Sequence, residues 1–297
     1  MNANSLPAGN ARRFLAGFLV FCALAFGAAT GALAAEPQRN TPVRIGLTPA
    51  FLHDQHGLME EWRRYLEAKL KRPVVFLQRD SYRETMDLLR LEKLDFAWIC
   101  DYPFVHLKKQ VKLLAVPLYQ GRPYYRSYFI VPASNPHTTS ILQLKNMVFA
   151  YADPYSNTGY LAPRYELFKA GEDPARFFGK TFFTWSHRKV VEAVAFGLAN
   201  GGAVDSYVWD TLAVVQPDLT AKTRIVSRSP EYGFPPFVAH RSVGDDEFRV
   251  FQKVLIGMTT DPAGKALLKR LNLDGFATND PKLYDSVAQM MRAFGEE

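Results

Sequence analysis

From residue 43 onward the chain switches repeatedly between two hydrophobic rhythms. Residues 43–47, Val-Arg-Ile-Gly-Leu, alternate and predict a strand with one buried face. Leu58, Trp62, Leu66 and Leu70 then recur every fourth residue, which predicts a helix with one apolar stripe. Residues 74–77 predict a second strand, residues 82–92 a helix with Met86 and Leu89 inward, and residues 95–99 a third strand. Residues 100–103, Cys-Asp-Tyr-Pro, read as the loop that follows. A β-α-β-α-β order with such short joints predicts a parallel sheet with right-handed crossovers.

Residues 113–117 and 124–131 are further strand-like runs. The second is long, aromatic and free of glycine, as suits a strand passing from one body to another. After Pro132, Asn135 and Pro136 the plan repeats. Strands are expected over 147–151, 181–185 and 202–204, and helices over 160–170, 189–198 and 207–215. Strands at 223–226 and 237–240 flank a proline-rich link, and Asp245, Asp261 and Asp280 open three closing helices. The expected fold is an α/β clamp of two lobes, each a mainly parallel sheet flanked by helices, joined by two hinge links. Lobe one takes 36–129 and 229–297, and lobe two takes 130–228.

The N-terminus stands outside this pattern. Arg12 and Arg13 precede an apolar run over 14–26 and a small-residue tail ending Ala-Leu-Ala-Ala at 32–35. That predicts a signal peptide over 1–35 and a periplasmic, exported protein. The run is too short to span a membrane stably. The whole chain of 297 residues carries a net charge of +7, scattered along its length, which does not point to nucleic acid or membrane. Of its two cysteines, Cys22 lies in the leader, so Cys100 has no partner for an intrachain disulfide. His53 and His56 lack a cluster with ligand spacing, and neither a metal nor a cofactor is expected.

In open sheets ligands sit beyond the carboxyl ends of the strands. In lobe two those ends carry Ser156, Asn157 and Thr158; Ser186 and His187; and Asp205 and Ser206. Each group also suits a plain helix cap. Their convergence on one edge is what suggests a pocket for an oxyanion, favoured by helix N-termini. Lobe one faces them with residues 48–51, Tyr82, Asp101 and Phe104, although Tyr82 and Phe104 suit a core equally well. A cysteine nucleophile at Cys100, served by His187, is an enzymatic alternative, yet no activating motif surrounds it.

From residue 43 to the C-terminus the chain resembles the periplasmic phosphate-, phosphite- and phosphonate-binding proteins of ABC transporters. The resemblance rests on Ser-Asn-Thr-Gly-Tyr-Leu at 156–161, Trp-Ser-His at 185–187, Ala-Val-Asp-Ser at 203–206 and Leu-Asp-Phe-Ala-Trp-Ile at 94–99. It implies a type II periplasmic binding fold and no catalysis. It implies that Ser156, Asn157, Thr158 and His187 hold a small oxyanion, and that Asp205 accepts a hydrogen bond from a ligand that bears a proton. The implied partner is a membrane permease, or alternatively a sensor kinase. The chain departs from the family at Asn157, where a hydroxyl is usual, at Cys100-Asp101, where Gly-Pro is common, and at Phe104, where tyrosine is frequent. An Asp101 facing the cleft would suit an amine-bearing ligand.

Overall fold

The computed structural model describes residues 41–48 and 56–296. The leader, Pro49, Ala50 and Phe51 of the first loop, and His53 lie outside them. In the first half, β1 (Val43–Leu47), β2 (Val74–Gln78) and β3 (Phe96–Trp98) alternate with α1 (His56–Leu70) and α2 (Tyr82–Arg90). Ser81 caps α2 in a reciprocal capping box with Glu84. β1 pairs in parallel with both β2 and β3.

The residues after β3 form α3 (Asp101–Leu107) rather than a loop; Pro103 is harmless there because first-turn N–H groups have no helical partner. β4 (Val111–Leu118) and the short β5 (Tyr124–Tyr125) follow. β6 (Ser127–Pro132) then opens the second sheet, with β7 (Val148–Tyr151), α4 (Ala162–Lys169), β8 (Lys180–Phe183), α5 (His187–Ala195), β9 (Gly201–Asp205), α6 (Ser206–Val215), α7 (Pro217–Thr220) and β10 (Thr223–Arg228). The chain returns through β11 (Tyr232–Gly233) and β12 (Phe237–His240). It closes with α8 (Asp245–Ile256), α9 (Pro262–Arg270), β13 (Gly275–Ala277) and α10 (Asp285–Ala293).

The result is a two-lobed α/β clamp. One sheet has the order β13-β4-β12-β3-β1-β2 and the other β10-β6-β9-β7-β8. The sheets are mixed, which corrects the expectation of mainly parallel ones. Every antiparallel pair within them contains β6, β12 or β13, strands that arrive through a link or from the C-terminal segment and not by a helical crossover. The run expected as one strand over 124–131 is broken at Arg126. Its N–H donates to Ser206 Oγ and its carbonyl accepts from Ser206 N–H. β5 therefore pairs with β11 in a separate ribbon.

The first lobe is centred on Trp62, fully buried against Phe76, Trp98 and Phe237 at ring separations of 5.5–5.9 Å. In the second, Phe149 stacks on Phe178 at 4.3 Å. These rigid cores hold both cleft-facing sheet edges in fixed positions.

Candidate functional site

Three strands of the second lobe end on one edge, and each runs directly into a helix start. After β7, Ser156 caps a π-helical turn, Asn157–Leu161, that continues into α4. Its widened bond runs from Leu161 N–H to the Ser156 carbonyl at 3.0 Å. After β8, Ser186 occupies the cap position of α5, and after β9 Asp205 caps α6. Helix starts carry unpaired N–H groups and partial positive charge, so their convergence favours a bound anion. Gly159 makes the approach possible, because a Cβ there would lie 2.4 Å from Ala152 Cβ and 2.9 Å from His187 Cε1.

Behind this edge His187 is buried, which lowers its pKa to about 3 and keeps the imidazole neutral. Its Nδ1 accepts from the Asp205 N–H at 3.1 Å, so the ring proton sits on Nε2. Nε2 then donates to Ser156 Oγ, 3.1 Å away. The same Oγ accepts from Gly159 N–H at 3.0 Å. Both nitrogens of His187 are thus engaged by the protein. The histidine, expected to hold the anion, instead fixes the two strand ends relative to each other.

Asp205 accepts the cap bonds from Tyr207 and Val208 N–H through one oxygen, Oδ1. Burial pushes its pKa up to about 8, against the lowering effect of those bonds and helped by the charges of Asp101 and Asp210. At neutral pH Asp205 therefore keeps its own proton, able to donate as well as accept.

The first lobe closes over this edge. Asn157 Nδ2 donates to Asp101 Oδ2 at 2.7 Å, and the backbone N–H of Tyr82 donates to Asp153 Oδ2 at 3.0 Å. Asp101 Oδ1 accepts from the Cys100 thiol, the Tyr102 N–H and the Tyr125 hydroxyl at 3.0, 3.0 and 2.8 Å. Burial raises the Asp101 pKa to about 6, and these bonds oppose it. Asp101 is 0 % exposed and its carboxylate is turned mainly to these protein donors, which weighs against the amine-bearing ligand that a cleft-facing Asp101 would suit. Tyr82 is 2 % exposed, and its phenol is pushed well up by burial and by the charges of Cys100, Asp153, Asp205 and Asp101 around it.

Two polar atoms in this shell have no partner. Thr158 Oγ1 and Asn157 Oδ1 are both shut off from solvent, in residues that are 0 % exposed. A native interior pairs nearly all such atoms, so two orphans on adjacent residues make this loop the candidate ligand position. Ser156, Asn157, Thr158, His187, Asp205, Tyr82 and Asp101 thus come together. Phe104 does not join them: it packs on Tyr284 at 4.7 Å in the first lobe's core. Among the described residues no cluster could hold a metal ion.

Sequence reasoning missed Tyr125 and Asp153. The sequence pattern places Tyr125 within a continuous strand, which hides the break at Arg126 beside a hydroxyl that donates to Asp101. Asp153 lies in the loop after β7 with no local pattern to mark it, and its carboxylate ties the lobes together through the Tyr82 N–H. Outside them an open groove of 1190 Å³ is lined by Tyr102, Asp153, Tyr155, Trp185 and Arg188. The closed lobes meet again at Glu296, whose carboxylate accepts from Tyr102 Oη and pairs with Arg164.

Residues 45–284 match the family model of the periplasmic substrate-binding protein of phosphonate ABC transporters. The chain is 23 % identical over 239 residues to a probable ABC transporter phosphite-binding protein, PhnD1, of Prochlorococcus marinus, covering 76 % of this chain and 80 % of that one. It is 24 % identical over 240 residues to the phosphonates-binding periplasmic protein of Escherichia coli, covering 77 % and 70 %. The crystal structure of the Prochlorococcus protein in complex with methylphosphonate superposes with a TM-score of 0.78 at 20 % identity, covering 87 % of this chain and 99 % of that one. A binding component of a phosphonate ABC transporter from Pseudomonas aeruginosa gives the same TM-score and identity over 84 % and 85 %. The chain belongs to the family of periplasmic substrate-binding proteins of phosphonate ABC transporters.

Proposed function

We propose that this protein captures a small tetrahedral oxyanion of the phosphonate class, about the size of methylphosphonate, and delivers it to a membrane permease. The observation that carries the ligand assignment is the pair of buried, unpartnered atoms, Thr158 Oγ1 and Asn157 Oδ1, beside converging helix starts. The closed geometry supports a small ligand. The bonds from Asn157 to Asp101 and from Tyr82 to Asp153 join the two lobes across this edge. Ligand oxygens would take hydrogen bonds from Thr158, Ser156 and the first N–H groups of the turn. Asp205 would share one proton with the ligand, whichever partner brings it. The working division is lobe one at 36–129 and 229–297 and lobe two at 130–228, closing about the two links, with residues 1–35 as an export signal.

The protein performs no chemistry on the ligand. Burial and the neighbouring Asp101 push the Cys100 thiol well above its ordinary pKa, away from the thiolate that nucleophilic attack requires. Both nitrogens of His187 are held elsewhere, so it does not serve Cys100 as a base. Isothermal titration of ligand-stripped protein with phosphite, methylphosphonate, 2-aminoethylphosphonate and phosphate tests the assignment. Methylphosphonate or phosphite should bind most tightly. Absence of binding by all four would overturn it.

A further inference from the structure

An amide side chain carries a donor at one end and an acceptor at the other, so whatever fixes its orientation decides what it can recognise. At Asn157 that choice is made by Asp101. An ionised carboxylate only accepts, so the amide must turn Nδ2 toward it, as the 2.7 Å contact shows. The Tyr125 hydroxyl, 3.4 Å from the same Nδ2, lies on that side too. Asp101 is itself held still by three further donors, from Cys100, Tyr102 and Tyr125. Oδ1 is left as the other end of a locked amide, buried and unpartnered. At a site built for anions this is a misplaced acceptor unless the ligand brings a proton to it.

We propose that Asp101 and Asn157 act as a proton-reading pair, in which Asp101 positions Asn157 so that its Oδ1 admits only oxyanions bearing a hydroxyl at that corner. The inference rests on the oxyanion reading above and narrows it to monoprotonated phosphonates and phosphite. Sulfonates have the same shape and charge but no hydroxyl, and they leave Oδ1 facing an oxygen lone pair. Asp205 cannot make this distinction alone, because its carboxyl can either donate or accept. Asp101 is the positioning residue and Asn157 the one that touches ligand.

The test is a comparison of methylphosphonate with methanesulfonate by isothermal titration at pH 7. It uses the wild type, Asp101→Asn and Asn157→Ser. The wild type should favour methylphosphonate by a hundredfold or more. In Asp101→Asn the facing amides can pair either way round, and in Asn157→Ser a hydroxyl can donate or accept. Each variant should reduce the preference about tenfold, whatever happens to absolute affinity. A merely structural role would weaken both ligands together and leave their ratio alone. An unchanged ratio in both variants would overturn the proposal, as would a wild type that binds the two ligands equally. If the wild type binds none of the four oxyanions named above, the underlying reading fails, and this inference with it.

Discussion

Ser156 and Thr158 carry similar hydroxyls two residues apart, yet the structure gives them opposite duties. Ser156 Oγ accepts from Gly159 N–H at 3.0 Å and from His187 Nε2 at 3.1 Å. Ser156→Ala therefore removes a helix cap, at about 1 kcal/mol. It also strands a buried imidazole N–H, at about 1–3 kcal/mol. The sum is about 2–4 kcal/mol, and a chain of this size loses about 2–4 °C in Tm per kcal/mol. The expected fall is roughly 5–15 °C in the empty protein. Thr158 Oγ1 has no partner to lose, so Thr158→Ala should change the Tm of the empty protein by no more than about 2 °C. Its effect should appear with ligand. Loss of one hydrogen bond to a charged oxygen, about 1.5–3 kcal/mol, should weaken methylphosphonate roughly tenfold to a hundredfold. Thermal unfolding without ligand and titration with it separate the two. The reasoning is refuted if Ser156→Ala is as stable as wild type. It is equally refuted if Thr158→Ala loses as much stability as Ser156→Ala with unchanged affinity.

Gly159→Ala places a methyl 2.4 Å from Ala152 Cβ, which cannot rotate away, and 3.0 Å from Ser156 Oγ. Such overpacking costs about 1–3 kcal/mol, and displacing the cradle should weaken ligand at least tenfold; titration showing wild-type affinity would contradict the close packing claimed here. Asp205 has a folded pKa of about 8, above its unfolded value, so the folded state binds the extra proton and stability is lost as pH rises toward 8. Asp101, at about 6, completes its similar loss lower down, and neutral His187 gives the opposite trend below its unfolded pKa of about 6.5. Between pH 6.5 and 8, Asp205→Asn should therefore show a flatter Tm profile than wild type, and identical profiles would remove the buried proton. Glu296 joins Tyr102 to Arg164, whose guanidinium also stacks on Tyr160 at 4.5 Å and Phe294 at 4.2 Å. Glu296→Gln should speed ligand release severalfold in stopped-flow displacement without touching the ligand, and an unchanged off-rate would show that this contact does not hold the clamp shut.

What could be read from the sequence was what depends on local rhythm. The strand and helix periods of residues 43–99 needed only neighbours one to four positions away. The cradle loops were legible because each strand end is followed by a cap residue within a few positions. What escaped depends on partners far along the chain. The break at Arg126 is made by Ser206, eighty positions on, and nothing in an aromatic run signals it. β13 is three residues long and exists only because β4 offers an edge. The roles within the site were less legible than its membership. Ser156 and His187 read as ligand-holding groups by type, but the hydrogen bonds spend both nitrogens of His187 on Asp205 and Ser156, and leave Ser156 only its hydroxyl proton to offer a ligand. Asp101 reads as a cleft-facing charge suited to an amine-bearing ligand, and only the four donors around it show that it orients Asn157.

The central claim is tested most directly by a crystal structure of the ligand-stripped protein soaked with methylphosphonate. The account predicts a closed clamp, with one phosphonate oxygen within hydrogen-bond distance of Thr158 Oγ1 and the phosphonate hydroxyl facing Asn157 Oδ1. Density for the phosphonate in the outer groove instead, with the two buried atoms still unpartnered, would contradict it.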